Sequence, residues 1–239
     1  MTQAELEKIE YGNVPLLDGG PRYVETNFAR LFVEPCNAIT AAVFVAIVIF
    51  FMVRMWGRFR QHPFLCLAIP VLLLGGVGGT IYHALRAYKI FFYMDVIPIV
   101  LLVAMGSVYL WVRLRPRGWQ VMALLAVIVT FAAVAGHFLF IGERHVAIIV
   151  QYLGLAVLVL TPVAIVLVRT NYRHSQIIKL ALVCFGFAIL FRFLDPLSAP
   201  VLPIGTHWLW HVLGAATTAL LAEYYYRIET EPVLQLQPA

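Results

Sequence analysis

The sequence predicts an all-α membrane protein, a bundle of seven transmembrane helices, and three observations carry that prediction. Of the 239 residues, 62% are apolar and only 12% charged, against about 45–50% and about 25% in soluble domains. The apolar residues gather in seven long runs, each near the roughly 20 residues that a helix needs to cross a bilayer. The runs lack the alternation of barrel strands, and backbone groups in hydrocarbon must be bonded internally, which leaves helices.

The seven runs cover residues 38–53, 64–82, 90–112, 119–141, 146–168, 177–191 and 207–226. A polar, acidic segment, 1–36, precedes the helical domain, 37–227, and a tail, 228–239, is expected to be flexible. Residues 1–36 have no basic start and no apolar core, so no cleavable signal peptide is expected and the first span directs insertion. Gly75, Gly76, Gly78 and Gly79 make the second span thin enough for close helix approach. Pro70, Pro98 and Pro162 are expected sites of kinks.

The net charge of +5 is an orientation signal, because the basic residues punctuate the apolar runs. No basic stripe with interleaved aromatics exists to grip nucleic acid. Arg54, Arg58, Arg60, Arg113, Arg115, Arg117, Arg169, Arg173, Lys179 and Arg227 fall on one side of the alternating spans. The opposite side carries Lys8, Arg22, Arg30, Arg86, Lys89, Arg144 and Arg192. The richer side faces the cytoplasm, which puts the N-terminus outside or in a lumen. The three cysteines, Cys36, Cys66 and Cys184, are far apart and lack a metal or redox spacing.

Ionisable groups inside a membrane are functional candidates by default, and the topology measures their depth. His83 closes the second span at its outer end, and Asp95 lies about 7 Å below the outer end of the third. His207 and His211 occupy the first two turns of the seventh span, with Glu34 and Asn37 before the first. An i, i+4 histidine pair shares one helix face and can chelate one ion. A catalytic zinc site asks for three protein ligands and an open position, and His83 is the third ligand at matching depth. Asp95 is placed to accept a proton from water acidified by the ion. His137 reads as a satisfied histidine within the bundle, and His62, His145 and His174 as solvated loop residues. Arg192 and Asp195 read as a structural ion pair closing the sixth span.

Five motifs in this order, Tyr23-Val24-Glu25-Thr26-Asn27, the stretch from Val33-Glu34-Pro35 to Thr40, Gly79-Thr80-Ile81-Tyr82-His83, Met94-Asp95-Val96-Ile97-Pro98-Ile99 and Pro203-Ile204-Gly205-Thr206-His207-Trp208-Leu209-Trp210-His211, resemble those of the alkaline ceramidase family. That family belongs to the CREST superfamily of seven-helix membrane hydrolases, which also holds the progestin and adiponectin receptors. The form of the first and last motifs looks most like the bacterial ceramidase-like branch. The resemblance runs from about residue 23 to 226.

It implies a zinc-dependent amidase that cleaves the N-acyl bond of ceramide or a similar long-chain lipid amide through a metal-bound water. His83, His207 and His211 would hold the zinc, and Asp95 would orient or deprotonate the water. The localisation implied is an integral multi-pass protein, in the plasma or inner membrane for a bacterial chain, with its site on the non-cytoplasmic side. The family usually has Ser four residues before the first ligand histidine, where this chain has Gly79, so Thr80 is the substitute candidate for the hydroxyl donor. Some members also carry calcium before the first span, and Glu25, Asn27 and Glu34 stand at corresponding positions. Arg22 stands where an acidic residue is expected, so that match is partial. Two alternatives to the amidase remain: a lipid hydrolase or acyltransferase of different substrate, and a non-catalytic receptor or structural protein whose zinc holds the bundle.

Overall fold

The computed structural model describes residues 10–12, 15–114 and 117–230. Lys8, Arg115 and the tail beyond 230 lie outside them. Eight α-helices occur among the described residues: α1 (Pro35–Ala41), α2 (Val43–Arg54), α3 (Pro63–Leu85), α4 (Lys89–Leu114), α5 (Gly118–Phe140), α6 (Arg144–Arg169), α7 (Ser175–Ser198) and α8 (His207–Thr230). Both α1 and α3 open on a proline, whose missing N–H would have no helical acceptor there. α1 and α2 follow one another across Ala42 as a single apolar span, Pro35–Arg54. That span and helices α3 to α7 are the six elements long and apolar enough to cross a membrane, and the chain is a multi-pass membrane protein. Helix α8 is as long, at 24 residues, but less apolar.

The helices close a ring. α3 packs on α4, α4 on α6, α7 on α8, and α8 returns to α1, α2 and α3, while α6 and α7 touch sparingly and α5 packs on α6. Large apolar side chains such as Val53, Val129, Phe140 and Val183 face outward, an arrangement suited to lipid. The close approach of α3 to α4 depends on glycine. A Cβ at Gly78 would sit 2.8 Å from the Met94 backbone carbon, and one at Gly75 would sit 3.1 Å from Pro98.

Polar and apolar burial separate along the bundle axis. Phe51, Met55, Phe64, Leu65, Leu110, Val163, Tyr224 and Tyr225 belong to one apolar core. Buried Asp18, Arg86, Glu34, His83, Asp195, His207 and His211 occupy the other end, since Phe64 and His83 stand about 28 Å apart along α3. The helices run on through Pro70, Pro98, Pro162 and Pro196.

Several local expectations change. α8 continues through Ile228, which is buried, and Glu229, which accepts a hydrogen bond from Phe64 N at 2.7 Å, so 228–230 belong to the bundle. His62 is fully buried, its ring stacked on Tyr226 at 4.1 Å, and burial pushes its pKa down. His145 is half-buried in the first turn of α6, and His137 is exposed on α5. α7 runs seven residues past the expected end, carrying Arg192 and Asp195 inside the helix.

Replacing Gly78 by Ala should force α3 and α4 apart and destabilise the bundle by about 1–3 kcal/mol, the usual cost of overpacking. Thermal unfolding in detergent, read against Gly118→Ala, where an added Cβ meets nothing within 4 Å, measures it.

Candidate metal centre and its cavity

His83 is the last-turn histidine of α3, and His207 and His211 lie in the first turns of α8. All three are buried, and one ligating atom from each lies within 4.8 Å of the others. The ring centroids stand 4.7 to 5.5 Å apart. His83 Nε2, His207 Nδ1 and His211 Nε2 have no hydrogen-bond partner. Buried polar atoms left unpaired are costly, and three imidazole nitrogens converging in this way fit a metal ion such as zinc. The structure thus brings together the three histidines named from the sequence.

Two of the histidines are held from behind. His83 Nδ1 lies 2.6 Å from Glu34 Oε2. Glu34 is the residue before α1, and its backbone N–H donates to the carbonyl of His83 at 3.1 Å, using a helix-end acceptor that would otherwise be orphaned. Burial is the largest single influence on Glu34 and opposes its ionisation, but the Arg86 guanidinium, His83 and a hydrogen bond donated by Thr26 together outweigh it. The carboxyl is held at about 2. An ionised carboxylate only accepts, so the proton sits on His83 Nδ1 and Nε2 keeps its lone pair for a metal.

Arg86 caps α3 in the left-handed conformation, φ 47°. Its Nε donates to Asp18 Oδ2 at 2.6 Å, and its Nη2 to Asp18 Oδ1 at 3.1 Å and to the Pro21 carbonyl at 2.9 Å. A third nitrogen donates to Glu34 Oε1. Neither Arg86 nor Asp18 was singled out from the sequence. The available signal was that Arg86 stands three residues after His83, on the same side of the helix end.

His207 is held by a different carboxylate. Asp195 Oδ1 accepts from Thr206 N at 2.8 Å and from His207 N at 3.0 Å, while Oδ2 accepts from Val24 N at 3.3 Å. Asp195 therefore caps α8 and ties the entrance segment to it, and it does not pair with Arg192 as the sequence suggested. Gly205 makes the cap possible, with φ 63° and no room for a Cβ beside Asp195 and Val24. Tyr23 stacks on the His207 ring with centroids 3.8 Å apart.

Asp95, from α4, opens onto the cavity beside the histidines. A Cβ on Gly79 would run into its Oδ1, so the carboxylate fills the volume a larger residue at 79 would take. Thr80 does not supply the hydroxyl expected of it. Its Oγ1 donates to the Gly76 carbonyl at 2.7 Å within its own helix, and it is absent from the residues lining the cavity.

The entrance acids are also engaged within the protein. Glu25 accepts from the N–H groups of Cys36 and Asn37 at 2.6 and 2.9 Å, capping α1. Asn27 Oδ1 accepts from Ala29 N at 2.9 Å, and Asn37 Nδ2 donates to Glu34 at 3.3 Å. With their oxygens so used, Glu25, Asn27 and Glu34 do not carry the calcium expectation further.

From the histidines an apolar cavity of about 720 Å³ runs past Leu72, Leu102 and Val159 to Phe64 and Tyr225. Its extent from His207 to Tyr225 along α8 is about 27 Å, close to the thickness of a bilayer's hydrocarbon.

The chain matches no protein-family model, and no curated protein matches it.

Glu34→Gln should weaken metal affinity about 10- to 100-fold, as loss of a partner behind a ligating histidine does, with helix content unchanged by circular dichroism. Thr80→Val should leave metal content at the wild-type level. Both are read by competition with a chromogenic chelator, and undiminished affinity in Glu34→Gln would remove Glu34 from the centre.

Proposed function

We propose that the protein is a zinc-dependent membrane amidase that hydrolyses the N-acyl bond of ceramide or a similar long-chain lipid amide. The observation that carries this is the opening of a long apolar cavity onto His207, His211 and Asp95, with His83 in the same buried histidine cluster. The topology that goes with it has seven spans, with α8 the seventh, the N-terminus outside and the C-terminus in the cytoplasm. The site then lies in the outer leaflet, at the depth of a lipid's amide.

His83, His207 and His211 hold the metal, which when bound supplies a Lewis acid for the amide carbonyl and lowers the pKa of water. Glu34 and Asp195 keep two of those ligands in place. The cavity wall takes up the acyl chain and excludes bulk water from the polar end. Asp95 takes a proton from the attacking water as the new carbon–oxygen bond forms, and returns it to the nitrogen as the carbon–nitrogen bond breaks. A fatty acid and an amine result.

Purified protein in detergent, given labelled ceramides, should release fatty acid, and a strong chelator should abolish the release. His211→Ala should lose both metal and activity. Asp95→Asn should keep the metal while turnover falls about 100- to 10,000-fold, the range for a lost general acid–base group. Stoichiometric zinc with no acyl release from a broad lipid panel would sink the amidase and leave the non-catalytic zinc protein.

A further inference from the structure

The cavity holds a charge that amide hydrolysis does not use. Arg192, in the last third of α7, lines it and is 8% exposed. Its guanidinium lies over the rings of Tyr152 and Trp210, at 5.2 and 5.1 Å. No carboxylate among the described residues forms an ion pair with it. Asp195, three residues on, gives its oxygens to the N–H groups of Val24, Thr206 and His207, and Asp95 acts on Arg192 only through space. The contrast with Arg86 is direct, since that buried guanidinium is neutralised by two carboxylates.

Arginine stays charged at any physiological pH, and an unpaired charge in an apolar interior is expensive. The rings of Tyr152 and Trp210 lie against the Arg192 guanidinium and Tyr23 takes one of its hydrogen bonds, but arginine has five N–H donors, and the others are left for an oxygen acceptor. Arg144 and Gln151 line the same cavity from α6. They stand seven residues apart, two turns along one face, so this polar wall is basic and neutral. Trp210 precedes His211, and Tyr23 stacks on His207, which sets Arg192 beside the histidine centre.

We propose that Arg192 is the anion site of the cavity, and that it binds the carboxylate or phosphate group of a long-chain amphiphile whose chain lies along the apolar lining. An acidic lipid satisfies both halves of the cavity at once. A neutral one leaves the guanidinium unpaired. This site does not require the metal.

Protein purified in neutral detergent and stripped of metal with EDTA is titrated with dodecanoate, dodecyl phosphate, dodecanol or inorganic phosphate, and its thermal unfolding midpoint followed. The two chain-bearing anions should raise the midpoint, and dodecanol and inorganic phosphate should not. In Arg192→Met the apparent affinity for both anions should fall about tenfold or more, as when a charge-assisted hydrogen bond is lost. Arg192→Lys should retain part of it. An equal rise with dodecanol, an equal rise with inorganic phosphate, or an unchanged response in Arg192→Met overturns the proposal. If Arg192→Met does not fold, the wild-type comparison of dodecanoate with dodecanol decides alone. Because the metal is removed, the outcome is independent of whether ceramide is hydrolysed.

Discussion

The polar end of this bundle depends on one carboxylate. Glu34 receives His83, Arg86, Thr26 and Asn37 at once, and its own backbone N–H is bonded to the end of α3. Remove it, and a buried guanidinium loses one of its two counter-charges while a histidine loses the acceptor that sets its tautomer. Buried ion pairs are weak sources of net stability, but breaking one leaves an uncompensated charge. For groups this deeply buried that asymmetry is the constraint: the site is kept in its arrangement because losing a partner strands a charge.

The same economy explains the division of labour between the two ends of the bundle. Apolar packing of Phe51, Phe64, Tyr224 and Tyr225 fills one end, with a few directional bonds such as that from Phe64 N to Glu229 at its margin. The other end has little apolar volume to bury and is held by capping. Glu25 caps α1, Arg86 closes α3, and Asp195 caps α8. Each of these residues secures a helix terminus and also fixes a site residue within a turn of it. Glycine makes the remaining adjustment, since Gly79 admits the Asp95 carboxylate and Gly205 admits that of Asp195.

What could be read from the chain follows from the range of the interaction concerned. Six of the seven expected spans, and the grouping of His83, Asp95, His207 and His211, were legible because helical rise converts residue number into distance. The glycine cluster announced a close approach but not its partners, which proved to be α4 at Gly75, Gly78 and Gly79 and α2 at Gly76. The bond from Arg86 to Asp18 spans 68 residues and left no local pattern. Arg192 and Asp195 were misread because three-residue spacing on a helix favours a pair, whereas distant backbone N–H groups had a better use for the carboxylate. His62 looked like a loop residue until Tyr226, far along the chain, covered its ring.

The distribution of the centre along the chain also sets an order of assembly. Asp18, Glu34, His83 and Arg86 all precede α4, so the costly charges are able to neutralise one another while the rest of the protein is still being made. His207 and His211 belong to the last helix, and Asp195 to the one before it. Until α8 arrives, the half-built bundle contributes only His83 to the triad, which is too little to hold an ion firmly. The three-histidine group is thereby complete only once α8 has been made, and a product truncated before α8 carries its ion pairs but not its centre.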